Sequence, residues 1–317
     1  MRYSVIIPLY NKAPYVANAI GSVLSQTFTD FELIVVDDGS KDDSAPMAEK
    51  AIEGHANCRL IRQENAGVSM ARNNGVAASQ GDYLCFLDAD DWWAPTFLEE
   101  MSQLIEAFPE AGIYGTSYTI VNETKHKTRV SPIGVASDFK QGYINYCQVY
   151  AKTLAMPLWT GAVCIPRGIF DEMRGFPKGI KLGEDFLLWI RIALKYKVAF
   201  LNKPLAYYNQ DVDAINRGVH EMRYDPDSFM TFHFDQFVEE ERTNADLKVL
   251  LDKIRVYTLL RFRMVNAYPD RVKEEISKVD FSHVEKKYWY YYHMPYGLMK
   301  KYWSLQKKLS NFKNRIK

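Results

Sequence analysis

Three short apolar runs, each ending in polar or acidic residues, restrict what this chain can fold into more than any other feature. Tyr83-Leu-Cys-Phe-Leu runs into Asp88-Ala89-Asp90-Asp91, and Phe31-Glu-Leu-Ile-Val-Val runs into Asp37-Asp38-Gly39-Ser40. Tyr3-Ser-Val-Ile-Ile-Pro8-Leu runs into Tyr10-Asn11. Near-continuous apolar strands of this kind belong to parallel sheets covered on both faces. Helix-length stretches over 13–26 and 43–53 separate the runs. The pattern predicts an α/β fold with a mostly parallel, Rossmann-like central sheet and helices on both faces. In open α/β sheets, ligands bind outside the carboxyl ends of the strands. Tyr10, Asp38, Asp88 and Asp90 are therefore expected to converge on one crevice.

The residue types at these ends suggest chemistry. Side chains alternate along an extended backbone, which would put Asp88 and Asp90 on one side of the strand end. Two carboxylates there suit a hard divalent cation, since Mg²⁺-type sites use one or two carboxylates and leave the rest to water and phosphates. For Asp91, metal ligation, a ribose contact and a helix cap all stay open. Pro8 offers a backbone carbonyl, Tyr10 a ring to stack, and Asp38 a hydrogen-bond acceptor. Asp37 reads as inward-facing, and Glu32 as a solvated edge residue. Arg72 opens a helical stretch beside Asn73-Asn-Gly75, where a guanidinium meets phosphate or base, or pairs with one of the aspartates. Glu184-Asp185 starts a helix expected over 184–196. The helix dipole keeps a carboxylate there ionised, which suits a general base acting on a hydroxyl, or simply a cap.

Taken in order, V-I-I-P-L-Y-N, I-V-V-D-D-G-S, Asn65-A-G-V-S-M-A-Arg72-N-N-Gly75, F-L-D-A-D-D and Gly183-E-D-F-L-L-Trp189 resemble a family 2 glycosyltransferase of the GT-A fold, of the kind that builds bacterial polysaccharide and lipopolysaccharide. The likeness runs from residue 3 to about residue 210. It implies an inverting transfer from a nucleotide-sugar, by family habit a UDP-sugar, to a hydroxyl of a glycan or lipid-linked acceptor, with bound Mn²⁺ or Mg²⁺. The transferred group would be a hexosyl or N-acetylhexosaminyl unit. The implied donor contacts are Pro8, Tyr10, Asn11, Asp38, Arg72, Asp88, Ala89 and Asp90. The implied metal ligands are Asp88 and Asp90, and the implied base is Asp185 with Glu184 as the alternative. Trp159, before the strand at 162–165, resembles the family's acceptor-side wall, and Trp92 stays open between sugar site and core. A histidine that many members carry after this point is absent from Tyr207-Tyr-Asn-Gln210. Asn209, Gln210 and Arg217 are the candidates to replace it.

Other classes fit less well. No G-x-G-x-x-G follows the first strand, which excludes a dinucleotide-dependent dehydrogenase. A sugar nucleotidyltransferase would carry a Gly-rich basic loop where Pro8-Leu-Tyr-Asn-Lys-Ala-Pro14 stands. A non-catalytic nucleotide-sugar-binding module is disfavoured because all four acidic residues are intact. The net charge of +1 points to no nucleic-acid partner. Four scattered cysteines without a CxxC read as free thiols. No long apolar span and no leader are visible, so a cytoplasmic protein is expected.

The expected organisation is a catalytic domain over 1–215, with a nucleotide-binding half at 1–110 and an acceptor half at 111–215, followed by a C-terminal helical region at 216–317. Pro95 is expected to open a helix. Strands are expected at 113–121, 125–130, 198–201 and 205–208, with a helix or lid somewhere in 136–158. Leu247, Leu250, Leu251, Ile254, Tyr257 and Thr258 form a helical stripe that Pro269 should end. A last helix, 284–312, mixes Tyr and Trp with Lys. Residues 285–317 hold eight lysines, one arginine and one glutamate, a net +8 that leaves −7 for the rest. Such a segment reads either as a packed appendage or as a peripheral contact with an anionic membrane surface on the cytoplasmic face.

Overall fold

The computed structural model describes residues 2–122, 124–212 and 224–303. The chain forms two compact units, 1–223 and 224–317. The expected boundary at 215/216 and Arg217 lie outside the described residues, as does the end of the expected last helix.

The first unit runs β1 (Tyr3–Leu9), α1 (Ala13–Leu24), β2 (Phe31–Asp37), α2 (Ser44–Ile52), β3 (Cys58–Arg62), α3 (Val68–Ala77), β4 (Tyr83–Phe86), β5 (Trp92–Trp93) and α4 (Phe97–Ala107). It continues with β6 (Ala111–Asn122), β7 (Lys127–Val130), β8 (Gln141–Ile144), α5 (Tyr146–Thr153), β9 (Val163–Pro166), α6 (Arg167–Glu172), α7 (Glu184–Lys195) and β10 (Lys197–Asn209). All but β7 and β8 lie along one path, β3-β2-β1-β4-β9-β6-β10-β5; β7 pairs with β6 and β8 with β10. The strands β3, β2, β1 and β4 are parallel, whereas β9 runs antiparallel to both β4 and β6, so the sheet as a whole is mixed.

Both faces of the parallel part are covered, as the unbroken apolar strands require. Val5, Ile7, Leu33 and Val35 join Val16, Ala19, Ile20 and Val23 of α1 and Phe97 and Met101 of α4 in one core. The opposite face meets α3 so closely that a Cβ on Gly75 would lie 2.5 Å from Ile6 Cγ2 and 3.1 Å from Val36 Cγ2. Glycine is needed there for the approach, not for its backbone freedom. Cys85 and Cys164 face each other across β4 and β9, and all four cysteines are free.

Several local expectations change. α4 begins at Phe97, two residues after Pro95, because the Pro95 carbonyl accepts from the Thr27 N–H at 2.9 Å and Gln26 Oε1 accepts from the Leu98 N–H at 3.0 Å. The helix start is thus capped from the end of α1. The 136–158 stretch divides into β8 and α5, with the Asn145 side chain as the cap of α5. The strands expected at 198–201 and 205–208 are one irregular strand, β10. Glu32 is buried, accepting from Ser4 Oγ at 2.8 Å, Gly81 N–H at 3.0 Å, Gln80 N–H and Arg59. Burial opposes its charge, but these hydrogen bonds outweigh it and hold the carboxyl below its ordinary range. It pins the α3–β4 turn to β2 and is no edge residue.

In the second unit, short 3₁₀ turns lead into α8 (Val238–Thr243), α9 (Ala245–Val265), α10 (Pro269–Ser277) and α11 (Lys286–His293), with a further helical stretch over 296–303. Leu247, Leu250, Leu251, Ile254, Leu259 and Phe262 are the buried stripe of α9, whereas Tyr257 is exposed. α9 ends at Asn266 in the left-handed region, and Pro269 opens α10, where its missing N–H removes nothing. Arg255 is buried on α9 and satisfied by Glu241 at 2.5 and 2.9 Å.

Candidate active site

β1, β2 and β4 end together, and their following turns form the site. Asn11, at φ +50, latches the first turn to the second. Its Oδ1 accepts from the Lys41 N–H at 2.9 Å and its own N–H donates to Ser40 Oγ at 3.1 Å. Pro8 lies within β1, and the Tyr10 ring is 42% exposed, open on the surface of the turn. Asp38 is buried. Its carboxylate accepts from Gln63 Nε2 at 2.8 Å, the Ala66 N–H at 2.8 Å and the Gly67 N–H at 2.9 Å. An ionised carboxylate can accept about four hydrogen bonds, so one position is left for an incoming donor. Asp37 accepts from the Ser40 N–H at 3.2 Å and braces that turn.

Asp88, Ala89, Asp90 and Asp91 do not continue the strand. β4 stops at Phe86, and the Asp91 N–H donates to the Asp88 carbonyl at 3.0 Å, closing a tight turn. The turn, not strand alternation, gathers the carboxylates. Each has a separate partner. Asp88 accepts from Arg72 Nη2 at 2.8 Å, and Asp90 pairs with Lys12 Nζ at 2.5 Å. Asp91 is buried and accepts from the Asn209 N–H at 2.7 Å, tying the turn to the end of β10. Its other oxygen, Oδ2, is buried without a protein partner, as is Arg72 Nε. Burial raises the Asp90 and Asp91 carboxyls, and the mutual repulsion of the three aspartates adds to it.

Among the described residues, no three His, Cys, Asp or Glu side chains form a ready metal centre. Asp88 and Asp90 are the residues that could hold a divalent cation, as two hard oxygen donors of a site that phosphate and water would complete. Three neighbouring carboxylates, with Asp91 buried and Asp88 still a third exposed, are a place where a cation is favoured. The donor set fits Mg²⁺ or Mn²⁺.

Arg72 joins the donor side of the site to α7. Its Nη1 donates to Glu184 Oε1 at 2.8 Å while Nη2 holds Asp88, and its guanidinium lies 5.1 Å from the centre of the Phe176 ring. Burial works against its charge, but Asp88 and Glu184 outweigh that and raise its pKa further. α7 starts after Gly183, whose φ of +83 lets the chain turn into the helix. Burial and neighbouring Asp185 push Glu184 up to about 7, against the pull of Arg72. Asp185 is the more open of the two. Its Oδ2 accepts from Thr160 Oγ1 at 2.8 Å and its Oδ1 from the Phe186 N–H at 2.7 Å. Burial raises its carboxyl, with Arg72 pulling the other way.

The aromatic candidates separate. Trp93 is core, stacked on Phe97 with its Nε1 donating to the Gly161 carbonyl. Trp92 stacks on Tyr207 with ring centres 5.4 Å apart. Trp159 leans on Tyr118 and Tyr208 and covers Gly161. Lys12 is the site residue that motif reading passed over. Lys12 follows directly on the Tyr10-Asn11 strand end, which was the available signal.

The glycosyl transferase family 2 profile matches residues 4–169, about half of the chain. The chain belongs to glycosyltransferase family 2. It is 32% identical over 224 residues to glycosyltransferase GlyA of Streptococcus pneumoniae, a match covering 68% of this chain and 32% of that protein. An uncharacterized glycosyltransferase of Rickettsia felis is also 32% identical, over 65% of this chain and 32% of its own length. The chain thus spans about a third of these relatives. The putative glycosyltransferase EpsH of Bacillus subtilis is 26% identical over 80% of both chains. Among solved structures, Staphylococcus aureus TarS residues 1–349 in complex with UDP-GlcNAc superposes with a TM-score of 0.68 at 19% identity, covering 89% of this chain and 83% of that one. The mannosyltransferase PcManGT of Pyrobaculum calidifontis, in complex with GDP-Man and Mn²⁺, gives 0.54 at 20% identity, covering 87% and 73%. At such identities the likeness is one of fold, and that fold is GT-A.

Proposed function

We propose that the chain is an inverting, metal-dependent glycosyltransferase that moves a sugar from a UDP-sugar to a hydroxyl of a glycan or lipid-linked acceptor in cell-surface polysaccharide synthesis. The observation that carries this reading is the Asp88–Arg72–Glu184 bridge. It holds the turn suited to a diphosphate beside the helix start that carries Asp185, so leaving group and attacking hydroxyl would meet in one crevice. Tyr10 would stack on the base, and Asp38 would accept its imide N–H. Asp88 and Asp90 would hold Mg²⁺ or Mn²⁺, which supplies Lewis-acid neutralisation of the departing diphosphate. Asp185, oriented by Thr160, would take the proton of the acceptor hydroxyl. A second carboxylate free to form a covalent intermediate is not needed for inversion. Glu184 is committed to Arg72, which leaves Asp185 as the base. UDP-GlcNAc in TarS and GDP-Man with Mn²⁺ in PcManGT support a nucleotide-sugar donor.

Calorimetric titration of UDP in the presence of Mn²⁺ tests the donor half. Asp90→Asn should leave the fold intact and weaken metal-dependent UDP binding by roughly 10–100-fold, the order seen when metal sites lose a supporting interaction. A variant that binds UDP and Mn²⁺ like the parent protein removes Asp90 from the site.

A further inference from the structure

The C-terminal helical unit divides its aromatic residues between two faces. On α11, Tyr288 and Tyr292 turn inward. Tyr288 packs edge-on against Tyr257, and Tyr292 Oη donates to the Val256 carbonyl at 2.7 Å. Lys286, Trp289, Tyr290 and His293 recur at the spacing of a single helical face and are all exposed, Trp289 by 46% and Tyr290 by 57%. Trp289 stacks on His293 with ring centres 4.4 Å apart, so the indole is held on that face. The stretch over 296–303 repeats the division, with Met299 buried and Leu298, Lys300 and Lys301 exposed. Met264 and Val265 at the end of α9 are exposed as well, and the Met264 carbonyl accepts from Tyr296 Oη at 3.4 Å.

We infer that this exposed face of the C-terminal unit docks on the surface of an anionic lipid bilayer. The charge is complementary, since Lys286, Lys287, Lys300 and Lys301 are exposed against Glu285 alone over the described residues 285–303, in a segment whose sequence to 317 carries a net +8. Indole and phenol rings beside lysines match the headgroup layer, where one end of the ring is wet and the other apolar. Exposed Leu298, Met264 and Val265 add aliphatic surface that a nucleic acid would leave uncovered. None of the described helices is long and apolar enough to cross a membrane, so the contact is one of surface and not of span. It does not depend on the catalytic reading, because it is measured without donor or acceptor.

The test is co-sedimentation of the full-length protein with vesicles of phosphatidylglycerol and phosphatidylcholine in equal parts, and with phosphatidylcholine alone. The protein should pellet with the anionic vesicles at low salt and stay in solution with the neutral ones. Neutralising Lys286, Lys287, Lys300 and Lys301 to Gln should weaken binding by roughly 5-fold for each lysine. Trp289→Ala with Tyr290→Ala should weaken it further while leaving its salt dependence unchanged. Circular dichroism should show both variants folded, since the altered side chains are exposed. A full-length protein that ignores anionic vesicles overturns the inference. So do an aromatic variant that binds as well as the parent, and tighter retention by single-stranded RNA than by the vesicles.

Discussion

Asp185→Asn should lose sugar transfer by about 10²–10⁴-fold, the usual worth of a general base, while donor binding stays close to that of the parent protein. The substitution is nearly isosteric. The Phe186 N–H keeps its acceptor, and the Thr160 hydroxyl can reverse and accept from the new amide, so the start of α7 is preserved. What disappears is the basic oxygen. The expected signature is a fall in kcat with an unchanged donor KM, because in the proposed role the residue would act on the acceptor hydroxyl and not on the nucleotide. An equal loss of donor affinity would mean that Asp185 only braces the site. A variant that turns over like the parent would move the role elsewhere.

Arg72→Met should be the most damaging change to the fold. It leaves Glu184 buried with no cation and frees Asp88 from α7, and breaking a buried pair from one side costs about 3–5 kcal/mol. The loss should depend on pH. Glu184 already titrates at about 7, above its ordinary value, so its contribution to stability is fullest below the ordinary carboxylate range and is lost as pH rises through about 7. Without Arg72 the carboxyl is pushed higher still. The deficit of the variant, measured by urea denaturation, should therefore be larger at about pH 8 than at about pH 5. A deficit that shrinks on going from acid to alkaline pH would show that Arg72 is not the counter-charge of Glu184. Lysine at this position should recover little, since a single ammonium cannot span Asp88 and Glu184 with the fork of a guanidinium.

Much of the first unit was legible in the sequence because local patterns carry it. Tyr3–Leu9 and Phe31–Asp37 read as buried strands since both faces of their sheet are covered, and α7 was visible from its acidic start and apolar repeat. The rule that ligands of open α/β sheets lie outside the carboxyl ends of the strands then pointed to one crevice. What was not legible depends on partners far apart in the chain. Lys12 meets Asp90 and Arg72 meets Glu184 through the fold alone, and no spacing rule announces either pair. Asp88 and Asp90 do not leave a strand on one side as the alternation rule expected, since a turn and not an extended strand gathers them. Pro95 and Pro269 show the same limit. A proline marks a helix boundary, but whether it stops one helix or starts the next depends on the caps nearby. Asn266 already ends α9, and Gln26, just past the end of α1, caps α4. On α9, the stripe spacing put Tyr257 inward, whereas Val256 and Leu259 fill the core.

In the proposed function, Asp88 and Asp90, with a divalent cation, would hold a nucleotide-sugar at the ends of β1, β2 and β4. Thermal unfolding of the whole chain decides this, with a panel of UDP-, GDP- and dTDP-sugars, each with Mn²⁺ and with a chelator in its place. A ligand present at about 100 times its Kd adds about 2.7 kcal/mol of stability. A clear rise in Tm is expected with at least one UDP-sugar, abolished by the chelator and cut by about half or more in Asp90→Asn. No rise with any nucleotide-sugar, or the same rise with chelator as with Mn²⁺, would contradict it.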